Sequence, residues 1–418
     1  MKKRSCLTFF LSIVLVVAFF TGSAVMAAGQ PPKQIVIGMT LAVTGPLSSE
    51  WGPNALKYQK ALESVINGRG GVFVKEYNKR IPIKFIIYDD GSSPEKSVEL
   101  YEKLATVDKV HFFLAPPASP LLIKASTVAE KYGIPMMGQE GNSPYIYARG
   151  LKWLVGVDSP AQNWALSYFN MMKYLMDKKQ IPRLTKIAII VQDNPNTLDE
   201  AKGVKQYADV AGIKVVMEEK VPMTGMTDFS TIITKLKSQQ PDIVYGAIFN
   251  NLAAIFLKQA KSAGLKPFNM HMSRTTLSEP WYNMVGPAIA ENVSGMSTTA
   301  PYNNKKADLK TWNASLKKAG FSLYEYGCAS TRFIAAEALL KGIEAAGTLD
   351  RAKVMDSLKN LNYQTLYGEL VFTKNAKMGP LTVNGMGNKP PYMAQWQKGK
   401  IKILWPLDVA DGKLLMNK

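Results

Sequence analysis

The side chains best placed to do chemistry in this chain are hydroxyls, amides and carboxyls that follow apolar strands. Trp51 closes the run Ile35–Gly52 (IVIGMTLAVTGPLSSEWG); Pro116-Pro117-Ala118-Ser119 and Gln139-Glu140-Gly141-Asn142-Ser143-Pro144 follow two further apolar stretches. Glycine lets backbone approach a bound molecule closely. A tryptophan offers a flat apolar wall with one donor at its edge, and Trp51 is expected to be exposed on its short Ser/Glu loop. Hydroxyls and backbone N–H groups at helix starts favour a carboxylate. The chemistry implied is capture of a small molecule.

Catalytic signatures are scarce. The two histidines, His111 in a strand and His271 near a strand end, are too few and too far apart for a catalytic or metal cluster. No Gly-x-Ser-x-Gly elbow and no P-loop occurs. Gly68, Gly70 and Gly71 follow a helix rather than a strand, so they read as a helix stop and turn. Asp89-Asp90 stands directly ahead of the Ser93-Pro94 helix start and reads as loop and capping groups. No catalytic residue, metal or cofactor is expected. A secreted α/β hydrolase or dinucleotide-dependent enzyme is the competing class, and it lacks its elbow or its strand–GxGxxG–helix unit.

The chain of 418 residues opens with Lys2, Lys3 and Arg4, an apolar run from Leu7 to Phe20, and small residues through Ala28. That is the three-part form of a cleaved signal peptide, with cleavage after Ala27, and the run is short of the roughly 20 residues of a membrane span. An extracytoplasmic, periplasmic location follows. Loss of the three N-terminal charges lowers the net charge from +19 to about +16. The lysines are spread rather than clustered, and export argues against a nucleic-acid partner. Without Cys6 only Cys328 remains, so no internal disulfide can form.

These loops need strands and helices to position them. Strands at Ile35–Ala42, Ile83–Tyr88, Val110–Ala115 and Ile134–Gly138 alternate with helices near 53–67, 94–107 and 120–131. Ser93 can cap the second helix and Pro94 fits its first position. A second series begins at Lys186, with Asp228 as a helix cap and Gly264 as a stop. The last third carries helices near 305–319, 328–346 and 351–360, then a β-rich tail with Lys398-Gly399 as a hairpin turn. The pattern predicts an α/β fold of two doubly wound, Rossmann-like lobes. Residues 28–158 with 299–390 form lobe 1, 159–298 with 391–418 lobe 2, and 1–27 the signal. Three crossovers are expected, near Val157–Ala161, Gly295–Pro301 and Pro390–Tyr392.

Four segments carry a resemblance: TGPLSSEWG, YDDGSSPEKSVELYEKL (Tyr88–Leu104), KYGIPMMGQEGNSPYIYARG (Lys131–Gly150) and TDFSTIITKLKSQQPDIVYGAIFN (Thr227–Asn250). They resemble the leucine/isoleucine/valine-binding protein family, periplasmic receptors of ABC importers with the type I binding-protein fold, over essentially the whole mature chain. The resemblance implies a receptor that closes two lobes on a small carboxylate, a branched-chain or hydrophobic amino acid or an aromatic acid, and docks on a membrane permease. A sensing domain for a membrane signalling protein is the alternative within the same fold. By the same resemblance Ser119 binds the ligand carboxylate, and Glu140, Gly141 and Asn142 grip the carboxylate and ammonium. Trp51 covers the apolar part, and Thr197 and Phe249 close from lobe 2. The chain departs from the pattern where Ser92 and Ala118 replace a disulfide pair. Ser273-Arg274 replaces the acid that holds the ammonium; Arg274 can add an anionic contact, and Glu140 would have to take any amine.

Overall fold

The structure, a computed structural model, describes residues 30–272, 276–297, 309–321, 329–365, 368–372 and 391–416. The expected signal peptide, Cys328 and Arg274 lie outside them. Strand β1 (Ile35–Leu41) is almost wholly buried, as a parallel strand covered on both faces must be. It leads into α1 (Ser48–Trp51) and α2 (Pro53–Gly68). The glycines after α2 are a helix stop: Gly70 and Gly71 have φ of +90° and +75°, and the Gly71 N–H returns to the Ile66 carbonyl at 3.1 Å. A hairpin of β2 (Val72–Val74) and β3 (Lys79–Ile81) follows. Then come β4 (Ile83–Asp89), α3 (Pro94–Thr106), β5 (Phe112–Leu114), α4 (Ser119–Tyr132), β6 (Met136–Gly138), α5 (Pro144–Ala148) and β7 (Leu154–Gly156). Ser93 caps α3 as its position suggests, accepting the Lys96 N–H at 3.2 Å. The sheet order is β4-β1-β5-β6-β7, and every pair in it is parallel.

The second sheet follows α6 (Trp164–Asp177) and is built by β8 (Lys186–Gln192), α7 (Pro195–Val210), β9 (Lys214–Val221), α8 (Ser230–Gln239), β10 (Ile243–Ala247), α9 (Asn250–Ser262), β11 (Asn269–Met272), α10 (Glu279–Val285), α11 (Pro287–Ala290) and β12 (Ser294–Ser297). Asp228 does not cap α8. Phe229 holds that position, and the Asp228 carboxylate accepts from the Ser230 N–H and hydroxyl just beyond it. Helices α12 (Leu309–Lys318), α13 (Ala329–Ala346) and α14 (Arg351–Lys359) come next. A small hairpin, β13 (Asn362–Thr365) and β14 (Gly368–Val371), precedes β15 (Tyr392–Gln397) and β16 (Lys400–Trp405). These last two join through Lys398 and Gly399, both at positive φ as the hairpin turn requires.

Helices α12 and α13 pack back on α2, and α13 also touches β2 and β6, whereas β15 pairs with β12 of the second sheet. The chain therefore passes between the two sheets three times. Gly295 lies inside β12, so the second passage begins after Ser297 rather than at Gly295. The order of the second sheet, β16-β15-β12-β11-β10-β8-β9, repeats that of the first over its parallel strands. In each, the first strand has its successor on one side and the third strand on the other. That reversal opens a crevice at the carboxyl ends of the strands.

His271, on β11, is fully buried between the rings of Tyr168 and Tyr245, with centroids 4.4 and 4.6 Å away. Its Nδ1 meets Ser294 Oγ at 3.1 Å. Burial pushes its pKa from 6.5 down to about 3. The unfolded chain therefore takes up a proton that the folded chain refuses, and stability present above pH 6.5 drains as the pH falls toward 3. Each pH unit in that window costs about 1.4 kcal/mol. Urea unfolding at pH 5 and pH 7 should show this loss, and His271→Gln should reduce the pH slope by about one proton.

Candidate functional site

The reversal points of the two sheets lie between β1 and β5 and between β8 and β10. The loops leaving those four strands carry Trp51, Ser119, Thr197 and Phe249, so the topology brings these sequence-predicted residues to one cleft. Gly141 and Asn142 join them on the loop after β6.

In lobe 1 the loop after β1 is held from below. The Asp89 carboxylate accepts from the N–H groups of Val43, Thr44 and Gly91 and from the Thr44 hydroxyl. Burial opposes its ionisation, but the hydrogen bonds from Thr44 and Gly91 outweigh it and hold the carboxyl below its usual range. Ser92 donates to the Thr44 carbonyl at 2.7 Å and accepts the Leu47 N–H at 3.1 Å. Ser92 and Ala118, where the family pattern has a disulfide, both sit at positive φ, 65° and 64°. Such a conformation for a residue with a Cβ persists only where surrounding contacts impose it.

Ser119 opens α4 and is fully buried, its Oγ accepting the N–H groups of Asn142 and Ser143 at 3.1 Å each. Gly141 packs closely on Leu122: a Cβ there would stand 2.3 Å from Leu122 Cδ2, so a side chain would have to displace that leucine. The Glu140–Asn142 loop is thus clamped onto the start of α4. Glu140 is buried, and its Oε2 binds Arg332 Nη2 at 2.8 Å with both side chains fully out of solvent. An amine at Glu140 would have to share that carboxylate with Arg332.

One expectation is corrected. Trp51 is not exposed on a loop; it ends α1 and keeps only 1% of its surface. Its ring packs edge-on against Phe249, which caps α9 of lobe 2, at 5.5 Å and 83°. Tertiary contact supplies the partner that its polar neighbours in sequence hide. Thr197 lies in the first turn of α7, where its hydroxyl donates to the Gln192 carbonyl at 2.5 Å. Gln192 in turn accepts the Phe249 N–H at 2.8 Å, joining the two lobe-2 loops. A further contact spans the lobes: Ser143 donates to Asp199 on α7 at 2.5 Å, and Lys202 pairs with the other oxygen at 2.7 Å. Sequence reasoning did not single out Asp199, Gln192 or Arg332. Nothing local marks them, because their contacts with the cleft loops join residues far apart in the chain: Ser143–Asp199 56 apart, Gln192–Phe249 57 and Glu140–Arg332 192. Among the described residues no group of three or more His, Cys, Asp or Glu side chains could hold a metal ion.

A periplasmic binding protein family model matches residues 34–400. The chain belongs to that family. It is 24% identical over 399 residues to Leu/Ile/Val-binding protein homolog 7 of Brucella abortus, covering 92% of this chain and 94% of that one. Homolog 8 of the same organism is 26% identical over 310 residues, 72% of this chain and 75% of the relative. The fold superposes on the branched-chain amino acid transporter substrate-binding protein LivJ of Streptococcus pneumoniae in complex with isoleucine, with a TM-score of 0.72 and 19% identity over 90% of this chain and all of the other. It matches equally a solute-binding protein of an ABC transporter from Rhodopseudomonas palustris in complex with 3,4-dihydroxybenzoic acid, at 0.72 and 17% identity over 88% and 95%. As in other periplasmic binding proteins, the two lobes here are type I α/β units.

Breaking the buried Glu140–Arg332 pair from one side leaves a charge out of water without its counter-ion, which costs about 3–5 kcal/mol. Glu140→Ala should lower the unfolding free energy by that amount in chemical denaturation. Glu140→Gln, which keeps an acceptor, should lose less.

Proposed function

We propose that this chain is the extracytoplasmic solute-binding receptor of an ABC importer, closing two lobes, 28–158 with 299–390 and 159–298 with 391–418, on a small carboxylate with an apolar or aromatic body. The observation that carries the reading is the Trp51–Phe249 contact, two aromatic rings from facing reversal points that meet across the cleft. Such rings sandwich an apolar body when the lobes part to admit one. The loops beyond the strand ends also carry buried polar atoms without a partner among the described residues. They are Trp51 Nε1, Gln139 Oε1, Ser159 Oγ, Asn194 Nδ2 and Asn196 Oδ1, all at strand ends or the helix starts beyond them. Interiors rarely leave such groups unmade, and a polar ligand or water would complete them.

The related structures bind isoleucine, 3,4-dihydroxybenzoate and benzoate, which supports this ligand class. In the proposed complex Ser119 and the Gly141–Asn142 backbone hold the carboxylate, Trp51 and Phe249 flank the apolar part, Thr197 shapes the lobe-2 wall, and Arg274 adds an anionic contact. The described residues contain no helix long and apolar enough to cross a membrane; passage of the solute would fall to a separate permease. The family relatives are binding proteins, in keeping with a chain that performs no turnover.

A thermal-shift screen over hydrophobic amino acids and aromatic acids tests this, since a ligand bound only by the folded form raises the melting temperature. No shift with any of them, or consumption of the ligand, would overturn it. With the ligand in hand, Trp51→Ala should weaken binding by about 1–3 kcal/mol through lost apolar contact. Ser119→Ala should weaken it by about 1–2 kcal/mol. Titration calorimetry reads both. Small-angle scattering should show compaction on ligand addition.

A further inference from the structure

Lobe 1 carries a second concavity, formed by the far end of α2, the β2–β3 hairpin and α13. The helix rises 1.5 Å per residue, so Leu62, Ile66 and the following Arg69 stand roughly 14–24 Å along the axis from Pro53 at the cleft. None of the proposed cleft residues lines this cavity. Its volume is about 320 Å³, within the roughly 300–1,000 Å³ of small-molecule pockets.

The lining is divided by chemistry. Leu62, Ile66, Phe333 and Leu340 make an apolar floor, and Arg69, Arg80 and Lys341 bring three cations to the rim. Glu344 answers two of them, lying 3.9 Å from Arg80 and 3.0 Å from Lys341. Glu337 stands between floor and rim, receiving a hydrogen bond from the Tyr363 hydroxyl at 3.4 Å. Three cations facing two half-buried acids suit an anion better than a cation.

We propose that this pocket is a second ligand site for a small carboxylic acid with an apolar body. The body rests on Leu62, Ile66 and Phe333, and the carboxylate lies between Arg80, Lys341 and Glu337. The groups facing Glu337 are Lys341 and Glu344 along α13, Arg69 from the end of α2, Arg80 from β3, and the Tyr58 and Tyr363 hydroxyls. Burial, only partly offset by Lys341, Tyr363 and Arg69, pushes its carboxyl up to about 7. At neutral pH Glu337 can therefore donate its proton to the incoming carboxylate instead of repelling it. Binding takes up a proton, so affinity falls as the pH rises past about 7.

This site is separate from the cleft, and its failure leaves the receptor reading untouched. The test uses 4-bromobenzoate on the full chain. Diffraction at the bromine edge should place bromine between α2 and α13; bromine found in the cleft alone overturns the proposal. Binding measured by calorimetry on a Trp51→Ala, Ser119→Ala variant should remain saturable and fall at least tenfold with either Arg80→Ala or Lys341→Ala. Glu337→Gln should remove its pH dependence between pH 6 and 8. Absence of saturable binding to the cleft variant, or binding indifferent to both Arg80→Ala and Lys341→Ala, refutes the site.

Discussion

A glutamate and an arginine 192 residues apart share one fully desolvated contact, and much of the molecule is arranged around it. Neither charge can be buried alone, because the loss of hydration would exceed anything packing returns. Arg332 must therefore reach the loop after β6, which requires α13 to leave the second sheet and dock on the first. The return of the chain from the second sheet to the first is the topological form of that requirement. Once docked, α13 lies on β6 and α2, while the Asn142 and Ser143 N–H groups bond Ser119 Oγ. The site that would hold a carboxylate is positioned by a buried pair of opposite charges.

Among the described residues, two of the contacts between the lobes differ in character. The aromatic pair Trp51–Phe249 is apolar and non-directional at contact distance, so separating it costs mainly exposed area. The Ser143–Asp199 hydrogen bond is directional and partly shielded, and it lies close to Ala161, whose N–H binds the Asn142 carbonyl at 3.0 Å. This arrangement puts specific polar bonds near the connecting segment and aromatic surface across the cleft. The repeated strand order gives both lobes a crevice on the side that faces the other.

Much of this could be read residue by residue. Ser93-Pro94 announced α3, the Gly68–Gly71 cluster announced the end of α2, and Lys398-Gly399 announced the last hairpin, because capping and positive φ are local demands met by local residue types. The four loops of the cleft were also legible, since strand–helix alternation places strand ends on one side. The β2–β3 hairpin and β7 were not foreseen. Each of their strands is three residues long. Asp228 illustrates a smaller miss, its carboxylate bonding just past the residue that caps the helix.

The sequence by itself determined the class of fold, the number of lobes and the strand ends where a ligand would sit, because periodicity and turn chemistry act over a few residues. Tertiary structure alone decided how the side chains there are used. It buried Trp51 against Phe249, tied Ser119 to Asn142 and Ser143, spent Glu140 on Arg332, and gathered Arg69, Arg80, Glu337 and Lys341 around one cavity. Each of those outcomes depends on partners distant in the chain, and a side chain's hydration, charge state and freedom are set by what surrounds it, which no local pattern encodes.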